Sequence, residues 1–119
     1  MKISFIGTGL MGFPMAKNLL KKNLDLKIFS RTLEKSKPLE KFGGKLTNSL
    51  SEAIIDSDII FTMLTDDDAV EKVLGNTQFL NNLKTSSTVI DMSSIKPKTA
   101  IKHGKLLQEN NINFLDAPV

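Results

Sequence analysis

The sequence predicts an α/β fold, a single doubly wound parallel sheet with helices on both faces. Three observations predict it. Short apolar runs alternate with stretches of helical periodicity along all 119 residues. The strongest run, residues 58–64, is apolar on both faces, as a strand covered from both sides must be. A glycine-rich turn follows the first apolar run at once, at the point where a strand gives way to a helix.

Each element has its own justification. Residues 2–6, K-I-S-F-I, are rich in β-branched and aromatic side chains and form the first strand. Residues 11–22 place Met11, Met15, Leu19 and Leu20 at helical spacing. Pro14 falls in the first turn, where its missing N–H is harmless, and Asn23 suits the C-terminal cap. Residues 26–29 form the second strand. A weak helix over 33–42 is broken by Pro38 or starts near it, and Gly43 and Gly44 end it. A short strand at 45–47 and a helix at 51–55 follow, with Asn48, Ser49 or Ser51 as candidate caps. After the strand at 58–64 come a helix at 67–74, a strand at 87–92, a helix at 98–110 and a last strand at 112–115. Phe114 and Leu115 read as the buried tip of that strand.

Composition narrows the function classes. The length allows one domain. Hydrophobic residues are 40% and charged residues 24%, in the ordinary range for a globular chain. No cysteine is present, which excludes disulfides and thiolate metal sites, and one histidine excludes a multi-histidine metal cluster. The net charge of +3 comes from lysines interspersed with acidic residues, so nucleic acid is not an expected partner. No stretch reaches the roughly 20 apolar residues of a membrane span. The apolar N-terminal run is too short for a signal peptide, so the cytoplasm is the expected location.

The turn G-T-G-L-M-G fits G-x-G-x-x-G in its required setting, after a strand and opening a helix. Gly7 makes the tight turn, Gly9 lets the backbone approach a pyrophosphate, and Gly12 lets the helix pack against the strand. The whole loop, Gly7, Thr8, Gly9, Leu10, Met11 and Gly12, is the candidate cradle, with the helix N-terminus offering N–H groups and partial positive charge. Because no G-K-[ST] follows, it is not a mononucleotide P-loop. This is the signature of a Rossmann-type sheet. An acidic residue at the end of the second strand would hold a ribose 2′-hydroxyl, but this chain has Ser30, Arg31 and Thr32 there. Two hydroxyls and a guanidinium suit a 2′-phosphate, which favours NADP, with NAD second.

These residues resemble the β-hydroxyacid dehydrogenases, the family of 3-hydroxyisobutyrate dehydrogenase and the glyoxylate/succinic semialdehyde reductases. The glycine loop continues into M-G-x-x-M-A-x-N-L through Met11, Gly12, Met15, Ala16, Asn18 and Leu19. S-R-T at Ser30 is similar to the N-R-T of NADP-using members. M-L-x-D is present as Met63, Leu64 and Asp66. D-x-S-T followed by Pro is present as Asp91 to Pro97, and D-A-P-V from Asp116 begins the family's D-A-P-V-S-G-G. The resemblance implies that residues 1–119 are the family's cofactor domain. Met63, Leu64 and Thr65 would then lie along the cofactor toward its nicotinamide end, with Ser94 as a further cofactor contact. Thr65 stands where a Pro is common, and Ser94 where a Thr is usual. Ser93, Asp116 and Val119 would adjoin the substrate. The resemblance also implies that the general acid/base is a lysine in a second, helical domain beyond Val119. The chain therefore reads as a fragment with no catalytic residue of its own, truncated within the D-A-P-V-S-G-G motif. Apolar surface around residues 112–119 would be uncovered without that domain.

Several residues admit plainer readings. Asp66, Asp67 and Asp68 suit a helix cap and its first turn better than a metal site. His103 lies between lysines and glycine, which predicts an exposed face. Lys96, Lys98, Lys102 and Lys105 read as a solvated face, Met15 as core, and Met11 as able to reach the cofactor. Ser93 has no base near it in sequence, so hydrogen bonding to substrate or nicotinamide is the better reading than nucleophilic attack.

The expected function is hydride transfer between a nicotinamide cofactor and a small β-hydroxyacid or semialdehyde, within a longer chain that the resemblance makes a homo-oligomer. A dinucleotide-binding module without catalysis is the alternative from another class. An imine reductase is a third reading, disfavoured by D-A-P-V, and a decarboxylating 6-phosphogluconate dehydrogenase is further off.

Overall fold

The computed structural model describes residues 1–8 and 11–119. Six strands form one all-parallel sheet: β1 (Lys2–Ile6), β2 (Asp25–Phe29), β3 (Lys45–Leu46), β4 (Ile59–Thr62), β5 (Thr88–Asp91) and β6 (Asn113–Asp116). Their order is β3-β2-β1-β4-β5-β6. The chain winds outward from β1 to β3, returns past β1, and winds outward again from β4 to β6. β1 and β4 are neighbours at the reversal, in register from Ile3↔Ile59 to Ile6↔Thr62. In such sheets this reversal opens a crevice at the strands' carboxyl ends, where ligands bind.

The helices are α1 (Gly12–Lys21), α2 (Leu33–Ser36), α3 (Leu50–Ile54), α4 (Asp67–Leu74), α5 (Thr77–Asn82) and α6 (Pro97–Glu109), with a 3₁₀ turn at Lys37–Phe42. Pro38 explains that turn. It sits in the first positions, where its ring cannot oppose a preceding carbonyl, and the helix resumes there in the tighter form. Gly43 ends it at φ +94°, a conformation that side chains rarely adopt. Ser49 caps α3 by accepting from Glu52 N at 3.1 Å. Asp66 caps α4 by accepting from Ala69 N at 2.9 Å. Asp67 reaches across to α6, accepting from Thr99 Oγ1 at 2.6 Å and Lys96 N at 3.1 Å. The acidic triple thus begins one helix and ties it to another.

Alternation along β1 builds two cores, one on each face. Ile3 and Phe5 pack with Ala16, Leu20, Leu26, Ile28 and Leu39 under α1 and the 3₁₀ turn. Ile6 packs on the other face with Ile54, Ile60, Val70, Leu74, Phe79, Val89 and Leu107 under α3 to α6. Each such fully buried Leu, Ile or Phe contributes about 1.5–3 kcal/mol. Ser4 also points to the second face and is satisfied there by Ser57 at 2.7 Å.

Three sequence expectations are corrected, and one helix is added. α5 was not foreseen. It is six residues long, begins from Asn76 and anchors itself by burying Phe79. His103 is buried at 1% exposure rather than facing solvent, because α6 turns Ala100, His103 and Leu107 inward as one stripe. Leu115 is 56% exposed, since β6 is an edge strand paired only with β5. Ile112, in contrast, is 3% exposed, and it joins the second core rather than open surface.

Candidate functional site

The carboxyl ends of β1, β2 and β4 surround a cavity of about 240 Å³. Ile6, Gly7 and Thr8 come from β1 and its loop. Phe29, Ser30, Arg31, Thr32 and Lys35 come from the end of β2 and α2. Met63, Leu64 and Thr65 follow β4, while Ala69 and Val73 on α4 close the apolar wall.

Gly7 can be nothing else. Its φ is +90°, and a Cβ there would lie 2.3 Å from the Met63 carbonyl oxygen. Its N–H donates to Phe29 O at 2.8 Å, which carries the β1–β2 ladder into the loop. Gly12 packs the start of α1 against that loop, since a Cβ would meet Gly7 O at 2.6 Å. Gly9 and Leu10, the remaining predicted loop contacts, lie outside the described residues. Met11, the N-cap of α1, makes no side-chain capping bond, and the first turn carries no acidic residue. The field at that helix end therefore keeps its positive sign.

The β2 end presents two cations. Arg31, just before α2, and Lys35, within it, are both exposed and both line the cavity. No carboxylate lines the cavity among the described residues. Thr32 is exposed, and its side chain makes no capping bond to α2. Ser30 differs from the expectation of a hydroxyl turned to a phosphate. It is 9% exposed, and its Oγ donates to Thr32 O at 3.1 Å and pairs with Ser36 Oγ at 2.9 Å.

The β4 end is braced from below. Met63 N donates to Ile6 O at 2.9 Å, and Leu64 N donates to Ser93 Oγ at 2.8 Å. Ser93 Oγ donates in turn to Asp91 Oδ1 at 2.7 Å, which also accepts from Thr62 Oγ1 at 2.8 Å and Ser93 N at 3.2 Å. Asp91 is fully buried, and its Oδ2 has no partner among the described residues. Burial pushes its carboxyl above the ordinary 3.8. The Ser93 and Thr62 hydrogen bonds oppose that shift, and the nearby Asp116 charge adds to it.

Ser93 is therefore committed inside the protein. It is 0% exposed and its hydroxyl already both donates and accepts, so its place is that of a brace beneath Leu64 rather than a surface contact. Ser94, Asp116 and Val119 gather at the ends of β5 and β6, where Ser94 Oγ donates to Val119 O at 3.4 Å and Asp116 pairs in register with Asp91. None of these three lines the cavity, nor does Met11. Ile6, Phe29, Lys35, Ala69 and Val73 are the lining residues that the sequence reading missed.

The strand order, the glycine-floored crevice and the cation-lined β2 end define the class: a Rossmann-type dinucleotide-binding domain. Over residues 2–119 the chain matches the model of the NAD binding domain of 6-phosphogluconate dehydrogenase, and it belongs to that family of NAD(P)-binding domains. It is 32% identical to glyoxylate/succinic semialdehyde reductase 2 of Arabidopsis thaliana over 98% of its own length and 33% of that protein's. Mycobacterium tuberculosis 3-hydroxyisobutyrate dehydrogenase, solved with L-serine, superposes with a TM-score of 0.92 at 28% identity, over 99% of this chain and 40% of that one. An imine reductase of Myxococcus stipitatus, solved with NADP+, superposes with a TM-score of 0.90 at 25% identity, over 96% and 39%. The chain thus spans well under half the length of these relatives. The expected hydroxyacid and semialdehyde branch is represented among them, and so is the imine reductase weighed against it. No helix among the described residues is long and apolar enough to cross a membrane.

Proposed function

We propose that residues 1–119 hold NADP(H) for a longer oxidoreductase acting on a small β-hydroxyacid or semialdehyde. One observation carries the cofactor reading: the cavity at the β1/β4 reversal joins a glycine floor to the paired cations Arg31 and Lys35 and lacks any carboxylate among its described lining. The nicotinamide group, when bound, supplies hydride exchange with a carbonyl carbon.

The chain's own residues bind and orient. Gly7 and Gly12 keep the loop low enough for a pyrophosphate to approach backbone N–H groups, and the N-terminus of α1 supplies partial positive charge. Arg31 and Thr32, with Lys35, take the 2′-phosphate, Arg31 through a planar fork and Lys35 as a point charge. Leu64, Ala69 and Val73 give an apolar wall that excludes water, and Leu64 and Thr65 face the nicotinamide half. Ser94, Asp116 and Val119 stand at the neighbouring strand ends, on the side proposed for substrate. The proton donor is proposed to come from a lysine of a second, helical domain.

The test uses the adenosine end alone. 2′,5′-ADP should bind the chain at least tenfold more tightly than 5′-AMP, a difference of one charge-assisted contact or more. Equal affinity would remove the 2′-phosphate from this site.

A further inference from the structure

The cavity's two phosphate-facing loops are joined by a hydroxyl chain. Ser36, the last residue of α2, is 0% exposed and sits between them. Its Oγ is hydrogen-bonded to Thr8 Oγ1 of the glycine loop on one side and to Ser30 Oγ at 2.9 Å on the other. Ser30 Oγ also lies 3.1 Å from Thr32 O.

Proton counting fixes the direction. A carbonyl oxygen only accepts, so Ser30 spends its proton on Thr32 O. Ser30 must then accept from Ser36, which leaves Ser36 to accept from Thr8. The chain runs Thr8 to Ser36 to Ser30 to the Thr32 carbonyl, with every proton used and none duplicated. Thr8 and Ser30 consequently have no proton left for a phosphate. What they supply is position. The anchored Thr32 carbonyl fixes the bend that presents Arg31 and Thr32 outward, and Thr8 ties that bend to the loop floored by Gly7.

We propose that Ser36 is a positioning residue that locks the glycine loop and the β2-end loop together and so sets the preference for a 2′-phosphorylated dinucleotide. This rests on the reading of the cavity as an NADP site. Both cofactors reach the glycine loop, but at the β2-end loop NADPH places a charged phosphate where NADH places only a hydroxyl. Loosening their connection therefore weakens NADPH more.

The experiment is a set of NADPH and NADH titrations of the wild-type chain, Ser36→Ala, Ser30→Ala and the double variant, with thermal melts of each. NADPH affinity should fall about fivefold to tenfold in each single variant, while NADH changes by less than about twofold. The double variant should lose no more than either single one, because both break the same chain. Equal losses for the two cofactors, or no loss, would overturn the proposal, since a purely structural serine lowers both alike. Should Ser36→Ala fail to fold, Ser30→Ala alone decides by the same ratio. A wild-type chain that binds both cofactors equally would overturn the reading of the site, and this proposal with it.

Discussion

Thr62 and Asp91 are bound together at the ends of adjacent strands, with the Thr62 hydroxyl donating to Asp91 Oδ1 at 2.8 Å. The same oxygen holds Ser93, and Ser93 holds Leu64 N, so one buried carboxyl sets the height of the loop on the cavity's apolar wall. Asp91→Ala leaves at least two buried hydroxyls to find new partners and should cost about 2–4 kcal/mol in urea denaturation. Asp91→Asn keeps an oxygen for the same donors and should cost less than half as much. Equal costs would mean that the oxygen at this position is not what braces the loop.

Among the described glycines, Gly7→Ala should be the most damaging change. It meets both the Met63 carbonyl oxygen at 2.3 Å and a φ of +90°. Overpacking against backbone and the left-handed penalty together come to about 3 kcal/mol. Gly43→Ala shares the positive φ but finds open space, so only the conformational part, about 1–2 kcal/mol, should appear. Comparing the two by chemical denaturation separates strain from collision.

Arg31→Ala should weaken NADPH binding about tenfold to a hundredfold, the range for a charged hydrogen-bonding group, and leave NADH within about twofold. Lys35→Ala should act in the same direction with a smaller loss, because its charge makes no planar fork. Both losses should shrink as salt rises, since the two side chains are exposed. Titrations at two ionic strengths check this.

His103 should make stability depend on pH below neutrality. Burial holds its imidazole below the ordinary 6.5, with Lys102 adding to that shift and Glu71 and Asp91 opposing it. The unfolded chain therefore binds more protons in the window just below 6.5, and stability falls as pH drops through it. Asp91 has the opposite sign: its raised folded value makes stability fall as pH rises above 3.8. The carboxylates Asp25, Asp58, Asp67 and Glu71, all held below their ordinary values, lose their contributions only at more acidic pH. Melting temperature against pH should decline from 6.5 downward in the native chain and flatten over that window in His103→Leu. An unchanged slope would assign the effect elsewhere.

The parts of the site that the sequence revealed are those where chemistry and position coincide locally. Gly7 and Gly12 are legible because each is required by a backbone oxygen a few ångströms away. Ser30 to Thr32 and Met63 to Thr65 are legible because strand ends in a doubly wound sheet converge on one crevice. Lys35 was missed because Pro38 weakened the helix that carries it, and its place beside Arg31 at the cavity is set by the fold. His103 was missed although Ala100, His103 and Leu107 form a clear helical stripe, because the lysines beside it suggested solvent. The Ser36 connection could not be read at all, since Thr8 and Ser36 are 28 residues apart and meet only through the fold. Leu115 looked like core because an edge strand and a central strand share the same apolar composition.

The most direct measurement is a pair of titrations, NADPH and NADH, against the purified 119-residue chain at fixed salt. The account predicts binding of both, with NADPH tighter by about tenfold or more. Equal affinity, or preference for NADH, would contradict the assignment of Arg31 and Lys35 to a 2′-phosphate.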